Sequence, residues 1–185
     1  MIITHQREKL INAMIYFCRN TKHCGKTKMM KLLYFLDFIH FKQTGKSVTG
    51  LDYYAWKMGP VPKDLYEELN AMDTDLAKAI KIMPQDQFQK ICAIQKFDDR
   101  YFTPRQIKLL KAISEIFLEA KADVMVESTH LKNHPWDKTI KQKGEFQKID
   151  YLLAIDNSKD SLTPEDAREA MEEIEEMHKI FGVNR

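Results

Sequence analysis

Cysteine is scarce: the 185 residues hold three, Cys18, Cys24 and Cys92, an odd number for the length. This excludes the paired-cysteine framework of small secreted domains and fits a reducing cytoplasm. No export leader is expected either, because Met1-Ile2-Ile3 runs straight into a charged segment without the basic, apolar and small-residue zones of a signal peptide. The most apolar stretch, Met29 to Phe41, is too short to cross a bilayer and carries Lys31, Asp37 and His40, so no membrane partner is expected. Excess charge of one sign is absent too. With a formal net charge of +2, composition implies no general basic surface for nucleic acid. The local run Lys22, Lys26, Lys28 and Lys31 has no Gly-rich loop after a strand and no helix-turn-helix beside it. It reads as a solvated face at the mouth of a helix, and direct nucleic-acid binding is not expected.

Signatures of catalysis are lacking in the same way. There is no nucleophile elbow, Walker loop, dinucleotide fingerprint or usefully spaced carboxylate pair. Cys18, His23, Cys24, His130 and His134 are zinc-type ligands, yet neither cluster has the spacing of a familiar finger. The His130–His134 pair also lacks a hydrolytic glutamate, Leu131 standing beside the first histidine. No metal, no cofactor and no enzymatic activity are expected.

What the sequence does have is a core, since a 44% hydrophobic composition at this length suits one domain with a real interior. Its centre is the stretch from Lys28 to Leu69. Met29 to Phe41 is apolar almost all the way round a helical period, which predicts a buried helix that Gly45 stops. Leu51 to Lys57 then switches to aromatic and β-branched residues and predicts a short strand. Met58-Gly59-Pro60-Val61-Pro62 should turn the chain into a helix over Lys63 to Met72, with Pro62 suited to its first turn.

Around that unit, apolar positions between His5 and Arg19 recur at helical spacing. The chain from Met72 to Pro84 is weakly patterned, and Gln85 to Phe97 reads as a short strand that could pair with the one holding Tyr54 and Trp56, with helix the alternative for its first half. Thr103-Pro104-Arg105-Gln106 is a capping box for a helix to about Lys121, and Asp123 is placed to cap another that ends near His130. His134-Pro135-Trp136 should be a turn leading into a lysine-rich linker broken at Gly144. Phe146 to Ile155 is apolar without a clear period. A last helix begins at Thr163-Pro164-Glu165-Asp166 and ends at Gly182. It carries an apolar stripe from Ala167 to Phe181 and an acidic face of Glu169, Glu172, Glu173, Glu175 and Glu176. The expected architecture is α+β and mainly α-helical, a single compact domain with a central buried helix and a small antiparallel β element. Residues 1–143 should form its main part, with 144–185 a C-terminal segment docked on it.

Lys31-Leu32-Leu33-Tyr34-Phe35, Gly45 and Tyr53-Tyr54-Ala55-Trp56-Lys57-Met58-Gly59-Pro60-Val61 together resemble the signature of the Panacea domain, the SocA-like antitoxin domain of bacteria and their phages. Ser128-Thr129-His130 and His134-Pro135-Trp136 are similar to that family's C-terminal element, so the resemblance spans about 28–143. It implies a cytoplasmic antitoxin that neutralises a cognate protein toxin by direct contact. The rival classes are an adaptor that delivers a client to a protease and, further off, an enzyme that reverses a toxin's modification through Asp37, His40 or His130.

The candidate partner-binding residues are Lys31, Tyr34, Asp37, Tyr54, Trp56, Glu169, Glu173 and Glu176. Lys31 and Asp37 are charges among apolar neighbours and need partners wherever they lie. A structural role for both, with Lys31 snorkelling and Asp37 accepting backbone donors, competes with a place at the rim of a groove. Tyr34, Tyr54 and Trp56 are of the types found both in cores and at binding hot spots. The three glutamates would meet a basic toxin.

Overall fold

A computed structural model of the protein describes residues 5–72, 75–85 and 88–181, without the side chain of Phe181. The predicted helix end at Gly182 lies outside the described residues. Helix α1 spans Gln6–Asn20 and α2 spans Lys26–Thr44. Helix α2 runs through the middle: twelve of its residues are buried, among them Leu32, Leu33 and Leu36 at 0% exposure. Apolar side chains on every face of a helix can be dry only if other elements surround it, and here they do. Helices α1, α3 (Lys63–Ala71), α5 (Pro104–Ile116) and α6 (Ala122–Thr129) pack round it, with α7 (Pro135–Lys143) and α8 (Pro164–Phe181) further out. The fold is mainly helical α+β, as expected.

Gly45 ends α2 in the left-handed conformation, its φ of 71° closing an N–H bond of 2.7 Å to the Phe41 carbonyl. A Cβ built on it would stand 2.5 Å from the Ala170 Cβ, so glycine here also lets α8 approach. The capping box of α5 is present, the Gln106 N–H donating to Thr103 Oγ1 at 3.3 Å and the Thr103 N–H to Gln106 Oε1 at 3.1 Å.

The β pairing differs from expectation. The Tyr54 strand is short, β1 (Tyr54–Trp56), and pairs antiparallel with β2 (Gly59–Val61), the residues read as a turn. Its other edge is taken by 146–149, where the Phe146 N–H reaches Ala55 O at 2.8 Å and the Ile149 N–H reaches Tyr53 O at 2.8 Å. The strand within Gln85 to Phe97 is β4 (Phe88–Ala93), and its partner is β3 (Ile80–Gln85), which follows the short α4 (Leu76–Ala79). Pro84 had marked a boundary in the sequence, but it lies within β3, the β4 side of which is its only paired edge among the described residues. A proline is tolerated on an edge strand because its missing N–H need not break the ladder.

Three helix boundaries also shift. Helix α5 stops at Ile116 rather than near Lys121, and α6 is preceded by Lys121 while Asp123 sits inside its first turn. The expected turn and lysine-rich linker at 134–143 form α7, whose first residue is Pro135. The lysine run divides: Lys22 is solvated as expected and Lys26 partly so, but Lys28 and Lys31 are interior. Lys28 is 1% exposed and its ammonium donates to Lys22 O at 2.7 Å, Phe117 O at 2.6 Å and Ala120 O at 2.7 Å. It closes the carbonyl end left open where α5 stops, where a cation is favoured.

The close approach at Gly45 makes a graded prediction with Gly144, which has φ 88° but nothing within 4 Å of a built Cβ. Gly144, with ψ −171°, lies in a region kept almost to glycine, so Gly144→Ala should cost about 1–3 kcal/mol of backbone strain alone, whereas Gly45→Ala should cost roughly 2–4 kcal/mol because α8 must move as well. Urea denaturation checks this, and a Gly45→Ala loss no larger than the roughly 1–2 kcal/mol of left-handed strain would deny the tight contact.

Candidate partner-binding site

Two buried polar centres on α2 hold the β1–β2 hairpin, and the hairpin presents aromatic side chains outward. The first centre is Asp37, at 0% exposure. Its carboxylate accepts from the Val48 N–H at 2.8 Å, the Thr49 N–H at 2.8 Å, the Thr49 hydroxyl at 2.5 Å and the Tyr53 hydroxyl at 2.8 Å. Burial pushes its pKa up and the four donors oppose that shift. The Tyr53 and Tyr151 hydroxyls are in turn pushed well above the usual phenol range, by burial first and then by the negative charge of Asp37. Tyr151 stacks on Phe38 with centroids 4.3 Å apart and donates to Leu51 O at 2.7 Å, so the loop is held from both sides.

The second centre is Lys31, 1% exposed, whose ammonium donates to Pro60 O of β2 at 2.7 Å. Burial brings its pKa down to about 7. His130, at the end of α6, has a buried Nε2 without a hydrogen-bond partner among the described residues, and its pKa is lowered by burial and by the nearby Lys31 charge. Its ring stacks on Trp136 at 3.7 Å and 8°, and Trp136 Nε1 donates to Trp56 O at 2.9 Å. Tyr34, 3% exposed, has its hydroxyl pKa pushed up by burial and drawn back by the nearby backbone N–H of Trp136. Gly59 admits this packing: its φ is 94°, and a Cβ on it would meet Thr129 Oγ1 at 2.6 Å and Lys31 Cε at 3.0 Å.

Alternation along β1 then decides what faces outward. Tyr53 and Ala55 are at 0% exposure, so Tyr54 and Trp56 lie on the other side and are half-buried. Trp56 makes edge contacts with Tyr66 at 5.2 Å and with Phe146 at 6.1 Å. Phe146 is 63% exposed with φ 62°, and Met58 at the hairpin tip is 59% exposed. A bulky residue in the left-handed region is a genuine outlier, and such strain gathers at functional sites.

Of the residues singled out from sequence, Lys31, Tyr34 and Trp56 are brought together through Trp136 and Pro60. Asp37 lies at the adjacent centre, linked through the Tyr34–Tyr53 edge contact of 5.6 Å. It is interior and not at a groove rim, and Lys31 does not snorkel to solvent. Tyr54 is on the outward face. Glu169, Glu173 and Glu176 are exposed on α8, which docks beside Gly45, about 21 Å along α2 from Lys31. The roles of Thr49, Pro60 and Tyr151 carried no sequence signal, because each depends on a partner far along the chain. Among the described residues no three His, Cys, Asp or Glu side chains group as a metal site, and no helix is long and apolar enough to cross a membrane.

The family described as antitoxin SocA-like, Panacea domain, matches residues 29–137. That range runs from the start of α2 to Trp136 and Asp137 on α7 and includes both polar centres. No curated protein and no solved structure matches the chain.

Two stability predictions follow from the buried charges. Asp37→Ala removes one acceptor group from four donors and should cost about 3–5 kcal/mol in urea denaturation. For Lys31, the ordinary pKa of 10.5 in the unfolded chain falls to about 7 on folding, so between these values the unfolded state holds the extra proton. Stability contributed at this site therefore rises with pH across that window and is lowest below pH 7. Lys31→Met lacks the titration. Wild type should gain on the variant from pH 7 to 10, and parallel stability profiles would contradict the buried ammonium.

The match covers more than half of the chain, including α2 with its two buried polar centres and the β1–β2 hairpin, and on that ground the protein belongs to the SocA-like antitoxin family, with 29–137 its Panacea domain.

Proposed function

We propose that the protein is the antitoxin of a toxin–antitoxin pair and neutralises its toxin in the cytoplasm by direct binding, without chemistry on it. The observation that carries this reading is the outward face of the hairpin in a chain of this family: Trp56, Tyr66, Phe146 and Met58 stand on a backbone fixed from beneath. Exposed aromatics and methionine on a rigid support are what protein hot spots are made of, because little conformational freedom is lost when they are covered. Lys31, Tyr34 and Asp37 act here as positioning residues, and Tyr54 and Trp56 make the contact.

The acidic helix supplies the second part. Helix α8 carries seven acidic residues and two basic ones, and Glu169, Glu172, Glu173, Glu175 and Glu176 are all exposed. Toxins that act on RNA or nucleotides present basic surfaces, and a row of carboxylates steers such a partner toward the site. Steering acts on encounter, and the apolar hot spot acts on release.

The partner to use is the product of a neighbouring reading frame that is toxic alone and tolerated together with this chain. Reversing Glu169, Glu173 and Glu176 to Lys should lower the association rate at low salt by about tenfold, and the difference should fade as salt rises. Tyr54→Ala and Met58→Asp should instead raise the dissociation rate, with the circular dichroism spectrum unchanged. Association as fast as wild type at low salt would reduce the acidic face to a solvated surface. A partner that is degraded in cells, where a neutralised toxin would persist in the complex, would turn the reading toward a protease adaptor.

A further inference from the structure

Helix α8 is seated tightly at its start, where Ala167 is at 0% exposure and the Ala170 Cβ lies 2.5 Å from a Cβ built on Gly45. Farther along the same stripe, Met171, Ile174 and Met177 line a cleft of about 570 Å³ together with Phe41, Val48 and Tyr151 of the body. Met171 and Ile174 are half-buried, and Met177 is 38% exposed. Interiors close at the density of organic crystals, so an apolar stripe that shares a space of this size with its own domain leaves room for a second molecule. The volume falls within the roughly 300–1,000 Å³ of small-molecule sites.

The α1 side of the cleft is polar. Gln6 and Lys9 both line it and, three residues apart on α1, are neighbours on one face of that helix. Gly50, with φ 73°, makes room for the Gln6 amide, since a Cβ there would stand 2.6 Å from Gln6 Cδ. Lys9 is half-buried, and burial lowers its pKa. Among the described residues no acceptor meets its ammonium or the Gln6 amide. The acids at the cleft are engaged elsewhere or open to water: Asp52 pairs with Lys148 at 2.8 Å, Asp150 accepts the Leu152 N–H at 2.9 Å, and Glu175 is exposed. Lys46 and Lys143 add exposed positive charge. A half-buried cation without a counter-ion, set beside apolar walls, is satisfied by an acid group that carries an apolar tail. We propose that the cleft under α8 binds an amphipathic carboxylate of the fatty-acid class, with its acid group at Lys9 and Gln6 and its chain between α8 and the body. The two methionines fit this role, because an unbranched thioether adapts to the shape of a flexible chain. Occupancy would bridge α1 and α8 and fix the acidic helix on the domain. No toxin partner is needed for it.

The test is to titrate laurate, below its micelle-forming concentration, into the full-length protein with isotope-labelled methionine methyl groups. The Met171 and Met177 signals, assigned by substitution with leucine, should shift and saturate, while that of Met58 on the hairpin stays in place. Dodecylammonium, the same chain with the opposite charge, should bind wild type at least about tenfold more weakly. Lys9→Met keeps the apolar stem and removes the charge; it should raise the laurate Kd about tenfold and abolish the preference for the acid, with the circular dichroism spectrum unchanged. Shifts at Met58 or Met83 in place of Met171 and Met177, a response to laurate that does not saturate, dodecylammonium binding as tightly as laurate, or equal laurate affinity in wild type and Lys9→Met would each overturn the proposal.

Discussion

A carboxylate in the middle of an apolar helix must be answered from within the fold, and the answer given to Asp37 organises this protein. Its four donors come from Val48, Thr49 and Tyr53, so the segment after α2 has to turn back along the helix that it has just left. That turn places Tyr53 and Ala55 inward, and the period of a strand then puts Tyr54 and Trp56 outward. The display surface is in this sense a consequence of a buried hydrogen-bond network. Charges in such a place are costly unless fully satisfied, which gives the loop one conformation in preference to several.

Lys31 and Lys28 follow the same logic with the opposite sign. Each is almost wholly buried, and each spends its ammonium on backbone carbonyls instead of a carboxylate: Pro60 O for Lys31, and the end of α5 with the turn beyond it for Lys28. Helix α2 thus grips the hairpin with one cation and α5 with another. Burial that lowers the Lys31 pKa to about 7 leaves a group near the hairpin whose charge responds to pH in the physiological range. Nearby His130, its pKa lowered by burial and by the Lys31 charge, spreads that response over a wider pH range, because two neighbouring bases resist being protonated together.

Charge is distributed more unevenly than the total suggests. Helix α8 has a formal charge of −5 from seven acidic and two basic residues, so the rest of the chain carries +7 of the overall +2. An acidic helix lies along a basic body, with its small residues Ala167 and Ala170 at the closest contact. The near-zero net charge excludes a strong nonspecific field but leaves room for a local one on α8.

The sequence by itself determined the central helix, its stop at Gly45, the capping box at Thr103, the amphipathic C-terminal helix and the family, because each is written in residues near one another in the chain. Periodicity and caps act over one to four turns, and the family signature is a continuous string. The tertiary structure alone decided which strand pairs with which, since 146–149 and 88–91 both read Phe-Gln-Lys-Ile and nothing local favours one over the other for the Tyr54 sheet. It alone also decided that Lys28 and Lys31 are interior. A lysine among apolar neighbours can extend to water or turn in toward a carbonyl, and the choice rests on acceptors 29 and 89 residues away. The candidate site divides along the same line: its residues were legible as types, but their sorting into an interior that holds and a surface that binds came from long-range contacts that no local pattern encodes.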